Sequence, residues 1–162
     1  MKTIKLTRNK EAIVDDEDYP SLSRYKWHCS NKGYACRAVR RNKRAVNIIM
    51  HRQILNAPKG KIIDHINRNR LDNRKLNLRF ANSYQNGYNH KKAIRLGKPT
   101  SSIYIGVSWN KATKFWDSYL AVDGKRLKVG NFKNERHAAM ARDIAARDLH
   151  GEYATFNFSK IP

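Results

Sequence analysis

Short alternating runs of apolar and polar residues, with few long amphipathic stretches, make up the first third of the chain. They predict strands over residues 3–6, 12–14, 25–28, 34–39 and 47–50, and short helical segments over residues 15–24 and 51–55. The segment at 15–24 is locally acidic and is expected to face solvent or a basic surface. Residues 1–60 are therefore predicted to form a small β-rich region.

The last third of the chain has a different pattern. Its apolar and aromatic runs predict three strands, over residues 105–109, 115–122 and 126–132. Asp123 and Gly124 separate the last two runs and form a strong signal for a two-residue hairpin turn. A compact antiparallel sheet is expected here.

A helix is predicted to follow this sheet. Asn134 is a typical N-cap residue, and Gly151 is expected to stop the helix after about His150. An apolar stripe of mostly small residues is predicted to pack on the sheet, formed by Ala138, Ala141, Ile144, Ala145 and Leu149. Strands and helices in separate runs predict the α+β fold class.

The middle of the chain combines a short apolar run with polar residues. Ile62 and Ile63 predict a strand that leads into Asp64 and His65, followed by a polar loop and a second strand over residues 76–80. Asn82 and Gln85 form a capping-box pattern, so a helix carrying Asn86 is expected to start there. Neighbours on a regular strand point to opposite faces. A joint role for Asp64 and His65 therefore requires the strand to end or bulge at Asp64.

Charge decides which partners are plausible. The chain has 34 Lys and Arg against 13 Asp and Glu, a formal net charge of +21. Such a charge favours a polyanion as partner, above all nucleic acid, and an acidic membrane less strongly. No apolar run is long enough to span a bilayer, and the first residues lack a signal-peptide core. We expect an intracellular, cytoplasmic protein that does not enter membranes.

The residue types in the middle segment are those needed to hydrolyse a phosphodiester. Asp64 offers a hard oxygen ligand for a divalent cation, and Asn86 offers a neutral oxygen to the same ion. His65 can accept a proton from water near neutral pH. Oxygen ligands predict Mg²⁺ or Mn²⁺. Basic residues around the site are predicted to hold the DNA backbone: Arg68, Arg70, Arg74 and Arg79.

This segment resembles the HNH motif of the ββα-metal nucleases, and most closely that of the phage and intron homing endonucleases. The resemblance implies that His65 is the general base, that Asp64 and Asn86 bind the metal, and that Asn77 pins the loop so that His65 is correctly oriented. The branch with a structural zinc is disfavoured, because the chain has only two cysteines. Asn73 is expected to shape the turn. Two histidines keep more than one interpretation. His51 is a phosphate contact or, more simply, a structural histidine. His90, expected on the same helical face as Asn86, is an additional ligand or, more simply, a surface contact to phosphate or solvent.

A second candidate DNA contact lies before this motif. A basic hairpin centred on Asn42 is predicted to lie along phosphates or enter a minor groove, through Arg37, Arg40, Arg41, Lys43 and Arg44. The alternative is a solvated surface hairpin.

The C-terminal part resembles the APETALA or ethylene-response-factor DNA-binding domain. The matching pieces are YIGV at residues 104–107, the strand of Trp116, GKRLKVGNF at 124–132, the alanine-rich helix with AARDLHG, and the final Asn157-Phe158. The resemblance implies that one sheet face enters the major groove, with Ser108, Asn110, Tyr119, Arg126 and Lys128 on that face. Trp116, Leu120, Leu127 and Val129 are expected on the helix side. Ile105 and Ala121 stand where the plant pattern has arginines.

Together these features predict four regions: a basic β-rich region (1–60), an HNH nuclease motif (61–91), a linker (92–102) and a sheet-type DNA-binding domain (103–162). The predicted function is a metal-dependent homing endonuclease that cuts double-stranded DNA as a monomer or weak dimer. A phage or mobile element is its expected source. The alternatives are a transcription regulator with an inactive HNH-like scaffold, and an RNA-binding or structure-specific processing protein.

Overall fold

The computed structural model describes residues 1–41, 43–90 and 100–159. These residues form helices and several small sheets, so the predicted α+β class is confirmed. The chain divides into two compact units, an N-terminal unit at Met1–Asn82 and a C-terminal unit at Ser83–Pro162. The predicted linker lies mostly outside the described residues, and the four predicted regions stay a prediction. Among the described residues, no helix has the length and apolar character needed to cross a membrane.

The described residues of the N-terminal unit form three small antiparallel sheets. In chain order its elements are β1 (Lys2–Lys5), β2 (Glu11–Val14), α1 (Tyr19–Leu22), β3 (His28–Cys29), β4 (Ala35–Arg41), β5 (Arg44–Ile49), α2 (Met50–Ile54), β6 (Ile62–His65) and β7 (Leu78–Ala81). Strands β1 and β2 pair, β4 pairs with both β3 and β5, and β6 pairs with β7. The strands predicted at 3–6, 12–14, 34–39 and 47–50 are found within one to three residues of these bounds. The strand predicted at 25–28 overlaps β3 only at His28, and the helical segment predicted at 15–24 is reduced to Tyr19–Leu22.

One apolar core joins the first two of these sheets. Its buried members come from β1, β2, α1, β4, α2 and the loop before β3, namely Ile4, Ala12, Val14, Leu22, Trp27, Ala35 and Met50. The Trp27 indole N–H donates to the Leu22 carbonyl over 2.8 Å, which satisfies the one polar atom of a ring in an apolar site. This core fixes α2, and through it the residue His51 that borders the candidate site.

The C-terminal unit begins with a short helix and continues as a sheet packed on a longer helix. Its elements are α3 (Ser83–Tyr88), β8 (Val107–Asn110), β9 (Phe115–Val122), β10 (Lys125–Phe132) and α4 (Glu135–His150), with β9 in the centre of the sheet. Asp123 and Gly124 both have positive φ, 47° and 79°, as a type I′ hairpin turn requires. The Asn134 side chain caps α4 by accepting from the backbone N–H of Arg136 and of His137. The predicted hairpin and cap are therefore confirmed.

The buried face of α4 matches the predicted apolar stripe only in part: Ala138 is fully buried in a cluster with Val107 of β8. Ile144 and Leu149 are 38% and 51% exposed, whereas Arg142 and Asp143 are almost fully buried. Arg142 donates to the Thr155 carbonyl and to Asp143, so both buried charges have partners. Thr155, which supplies one of these partners, lies beyond the helix, and a local apolar pattern carries no information about it.

Candidate active site

Strands β6 and β7 form the framework of the site, and they pair without interruption. Asp64 lies opposite Arg79 and His65 opposite Leu78, in one regular antiparallel register. The predicted strand end or bulge at Asp64 is therefore wrong, since pairing continues through His65. The second strand starts at Leu78 because residues 75–77 form a 3₁₀ turn. Asp64 and His65 thus have different neighbours on opposite faces of the hairpin.

The Asp64 carboxylate is bound by a cation of this chain. Both Nε and Nη2 of Arg79 donate to Oδ2 of Asp64, over 2.9 Å and 2.7 Å. The two side chains are 7% and 11% exposed, so the ion pair is shielded from water. Arg79, predicted to hold the DNA backbone, is instead the cross-strand partner of Asp64 in this structure. The Asp64 carboxylate therefore already stabilises one positive charge, that of the Arg79 guanidinium group.

His65 is buried among aromatic rings. It is 4% exposed, and its ring centroid lies 5.0 Å from that of His51 and 6.0 Å from that of Tyr34. Burial lowers the pKa of His65, an effect that the Asn73 side chain and the carboxylates of Asp64 and Asp72 partly offset. The imidazole is therefore neutral near pH 7, the form in which a histidine accepts a proton.

His51 is the closest ring to His65 in this group. The two rings meet edge to face at 86°, and His51 also lies 5.3 Å from Tyr34. Nδ1 of His51 is buried and makes no hydrogen bond to any of the described residues, and burial, together with the neighbouring His65, lowers the pKa of His51 to about 3. The sequence singled out His51 but did not place it beside His65, because the two lie on separate elements.

The pKa of His51 predicts an acid-sensitive N-terminal unit. The ordinary value of 6.5 applies to the unfolded chain, so the stability is full above pH 6.5 and is lost as the pH falls toward 3. At pH 5 the loss from this one group is about 2 kcal/mol, from 1.36 kcal/mol per pKa unit. A His51→Phe variant should lack this part of the loss when urea unfolding is compared at pH 7 and pH 5. His28→Phe, in the same unit, is the control. An unchanged acid loss in His51→Phe would contradict the assignment.

The loop between β6 and β7 is held by polar side chains. Oδ1 of Asn77 accepts from the Asn67 backbone N–H over 2.9 Å, and Nδ2 donates to the Asp72 carbonyl over 2.8 Å. These are the contacts expected of a residue that pins the loop. Asp72, only 2% exposed, binds Arg74 through two hydrogen bonds of 2.8 Å and 2.6 Å. The role of Asp72 was not predicted from the sequence. Arg74, predicted as a DNA contact, instead forms an ion pair with Asp72.

The loop is also joined to the main core. The backbone N–H of Asn73 donates to the Ile13 carbonyl, and that of Ile13 donates to Leu71, both over 2.8 Å. These bonds connect the loop to β2. Asn73 is 1% exposed and, as expected, shapes the turn, while its side chain also acts on the pKa of His65.

Asn86 lies on the other compact unit. It is exposed and sits on α3, as predicted. Its pairing with Asp64 around one cation stays a prediction from the spacing. The helix ends at Tyr88, so His90 does not share a helical face with Asn86, and the His90 ring contacts the Gly87 carbonyl. Among the described residues, no group of three or more His, Cys, Asp or Glu side chains is arranged to hold a metal.

The predicted basic hairpin is β4 and β5. Arg37 is not a free phosphate contact: it stacks 3.9 Å above the Tyr25 ring and donates twice to Gln53. Arg40, Lys43 and Arg44 are exposed. The Arg41 side chain and Asn42 lie outside the part of the chain that the structure describes. Beside the nuclease loop, Arg68 is exposed, while Arg70 donates to the Lys32 carbonyl and stacks on Tyr34.

The register of the C-terminal sheet sorts its two faces. Asp117 pairs with Ser108 and Asn131, Tyr119 with Lys128, and Ala121 with Arg126. One face therefore carries all five residues predicted to meet DNA, namely Ser108, Asn110, Tyr119, Arg126 and Lys128. Trp116, Leu120 and Leu127 lie on the other face, whereas Val129 lies where the register shifts between Lys128 and Gly130.

Asp117 is the residue on this face that the sequence did not reveal. It is 5% exposed and receives a 3.0 Å hydrogen bond from Asn110, a 3.4 Å contact from Lys128, and a 3.4 Å hydrogen bond from the Tyr119 hydroxyl. The bond from Asn110 and the Lys128 charge lower the pKa of Asp117. Arg126 lies 3.5 Å above the Tyr119 ring. Asp117 thus fixes the relative positions of three of the five side chains predicted to contact DNA.

Comparison with known proteins gives an independent result. A family model for HNH endonucleases matches residues 56–88. An uncharacterized HNH endonuclease, L560 of Acanthamoeba polyphaga mimivirus, is 29% identical over 90% of this chain and 74% of its own length. Protein 3.8 of Escherichia phage T7 is 34% identical over 61% of this chain and 78% of its own.

The C-terminal region has relatives of another kind. APETALA2-like protein 2 of Oryza sativa is 36% identical over 43% of this chain, but over only 16% of the plant protein. No solved structure matches the chain. The resemblance of the C-terminal region to the APETALA2 DNA-binding domain is supported. The family model lies on β6, β7 and α3, and the phage relative is covered over most of its length, so this chain belongs to the HNH endonuclease family.

Proposed function

We propose that the chain is a divalent-metal-dependent DNA endonuclease of the homing type, which cuts a phosphodiester at a site selected by its C-terminal sheet. Its class as a nuclease follows from its family. The observation that carries the finer proposal is the neutral, buried His65 directly after Asp64 at the end of β6, with a loop pinned by Asn77. Because the hairpin pairs through His65, the two side chains lie on opposite faces, and both reach one phosphate only when the end of β6 opens on substrate binding. Viral and phage relatives support a phage or mobile element as the source.

The residues present fit a hard divalent cation. Oδ2 of Asp64 already accepts two hydrogen bonds from a guanidinium group, so this position stabilises positive charge. Asp64 and, by the sequence spacing, Asn86 would hold Mg²⁺ or Mn²⁺. When bound, the cation would polarise a phosphate oxygen and stabilise the departing 3′ oxygen.

The chain's own residues supply the remaining chemistry. His65 accepts the proton of the water that attacks phosphorus, and Asn77 keeps the loop beside it in place. Since Asp64 and His65 are 6% and 4% exposed, the bound substrate must open this surface. Arg79 then leaves Asp64 and can bind the phosphate. The ion pair of the free protein is thus compatible with the phosphate contact predicted for Arg79 from the sequence. One site cuts one strand, so a monomer nicks DNA and a weak dimer would cut both strands.

The C-terminal sheet is proposed to select the site. Its support is the placement of Ser108, Asn110, Tyr119, Arg126 and Lys128 on one face, opposite the face that carries Trp116 and Leu120. Exposed Arg40, Lys43, Arg44 and Arg68 would add contacts to phosphates that carry no sequence information.

The test is plasmid nicking against metal concentration. Supercoiled DNA incubated with the full chain and Mg²⁺ or Mn²⁺ should become nicked, and EDTA should stop the reaction. Asp64→Asn should raise the metal concentration for half-maximal nicking at least about tenfold, because even supporting residues of metal sites cost 10–100-fold. Asp148→Asn, at an exposed carboxylate on α4, is the matched control. Nicking that survives EDTA would overturn metal dependence, and DNA binding without nicking would favour the transcription regulator.

A further inference from the structure

Helix α3 is held by a small group of contacts with residues that lie outside the predicted nuclease motif. Tyr88, its last residue, is 8% exposed. The Tyr88 hydroxyl donates to Oδ1 of Asp123 over 3.0 Å and accepts from the Asp123 backbone N–H over 2.8 Å. One tyrosine hydroxyl thus uses both its donor and its acceptor capacity on a single residue of the β9–β10 turn.

The Tyr88 ring has an equally specific neighbour. It stacks on the His150 ring with centroids 3.6 Å apart and planes 3° from parallel. His150 is the last residue of α4, and its Nε2 lies 2.7 Å from the Ala121 carbonyl on β9. The imidazole is therefore fixed to the sheet and offers Tyr88 a rigid surface.

A third contact closes the other end of α3. A Cβ atom added to Gly124 would lie 3.1 Å from the Tyr84 ring, so this ring packs closely on the same turn. Helix α3 has six residues, which is too short for a stable isolated helix. Its order depends on these contacts with the turn and with α4.

We propose that Tyr88 is a positioning residue that attaches the metal-binding helix to the DNA-recognition sheet, through Asp123 and His150. The inference rests on the proposed function, since it concerns Asn86, which lies two residues before Tyr88. The same turn that joins two DNA-facing strands then determines where a cation ligand stands. DNA recognition and metal binding therefore both depend on the β9–β10 turn.

The test separates metal binding from DNA binding. Mn²⁺ binding to the full chain alone is measured by electron paramagnetic resonance of the free ion, and DNA binding is measured in EDTA. Tyr88→Ala should weaken Mn²⁺ binding about tenfold and Tyr88→Phe about threefold, since the phenylalanine keeps the stack and loses only hydrogen bonds. DNA affinity should change less than about twofold, because the predicted contact face is untouched.

Amide hydrogen exchange distinguishes positioning from a general loss of structure. In Tyr88→Ala the amides of α3 should exchange faster, while those of α4 stay protected. Tyr25→Phe, which removes a hydroxyl from a half-exposed ring in the N-terminal unit, should match the wild type. If Asn86→Ala weakens Mn²⁺ binding and Tyr88→Ala does not, the positioning role is overturned and the proposed function stands. If Asn86→Ala has no effect on Mn²⁺ binding, the ligand role of Asn86 is overturned and the positioning role of Tyr88 with it, while metal-dependent nicking is judged separately by the EDTA test.

Discussion

Replacing His65 by glutamine should reduce the rate of plasmid nicking at saturating metal by about 10²–10⁴-fold, the usual contribution of a general base. Glutamine retains a polar side chain of similar length beside His51 and Leu78, so the hairpin should fold. It cannot accept a proton at neutral pH. The measurement is the first-order rate of conversion of supercoiled to nicked circles, with the metal dependence recorded for each protein.

The matched control is His28→Gln, which removes another imidazole from the same unit. It should cut at the wild-type rate. Far-UV circular dichroism and DNA binding in EDTA should be the same for all three proteins. Equal nicking by His65→Gln and the wild type would remove His65 from the mechanism, whatever the metal dependence.

Much of this site was predictable because its signals are local or have fixed spacing. The Asp-His pair after two isoleucines, with Asn77 and Asn86 at set distances, located β6, the pinned loop and α3. Asp123-Gly124 likewise located a turn, since few residues accept positive φ at both central positions. These features depend on a few adjacent residues, which a single sequence displays.

The parts that were missed depend on which strands and helices meet. Whether Arg79 faces phosphate or Asp64 is decided by the β6–β7 register, and a basic residue has the same appearance in either case. His51 on α2 meets His65 on β6 only through tertiary structure, which a single sequence does not display. Asp117 is an acidic residue on the face predicted to meet DNA, and its role depends on partners from both neighbouring strands, Asn110 on β8 and Lys128 on β10.

The buried pair on α4, Arg142 and Asp143, is the clearest example of residues whose environment is set by partners distant in sequence. Asp143 accepts from the backbone N–H groups of Asn157 and Phe158 over 2.6 Å and 3.1 Å, and from the Asn157 side chain over 3.0 Å. Asn157 in turn binds both backbone groups of Ile105. The Asn157-Phe158 pair, which carried part of the family resemblance, therefore connects α4 to the segment that leads into β8.

Asp143→Ala should destabilise the C-terminal unit by about 3–5 kcal/mol, because it leaves the buried Arg142 charge without its carboxylate partner and removes the acceptor of the part-buried N–H groups of Asn157 and Phe158. Urea unfolding monitored by the fluorescence of Trp109 and Trp116 measures this loss in a Trp27→Phe background. Asp148→Ala on the same helix should change stability by less than about 1 kcal/mol, because its pair with Arg147 is exposed to solvent.

A double variant shows which part of the network matters more. Removing the charge as well, in Arg142→Met with Asp143→Ala, should recover only part of the stability, because the N–H groups of Asn157 and Phe158 still lack their acceptor. Full recovery would mean that the ion pair alone explains the cost. Partial recovery would mean that Asp143 stabilises the unit mainly by binding the C-terminal segment to α4. A small DNA-binding sheet would then depend on a residue that lies outside both its strands and its apolar core.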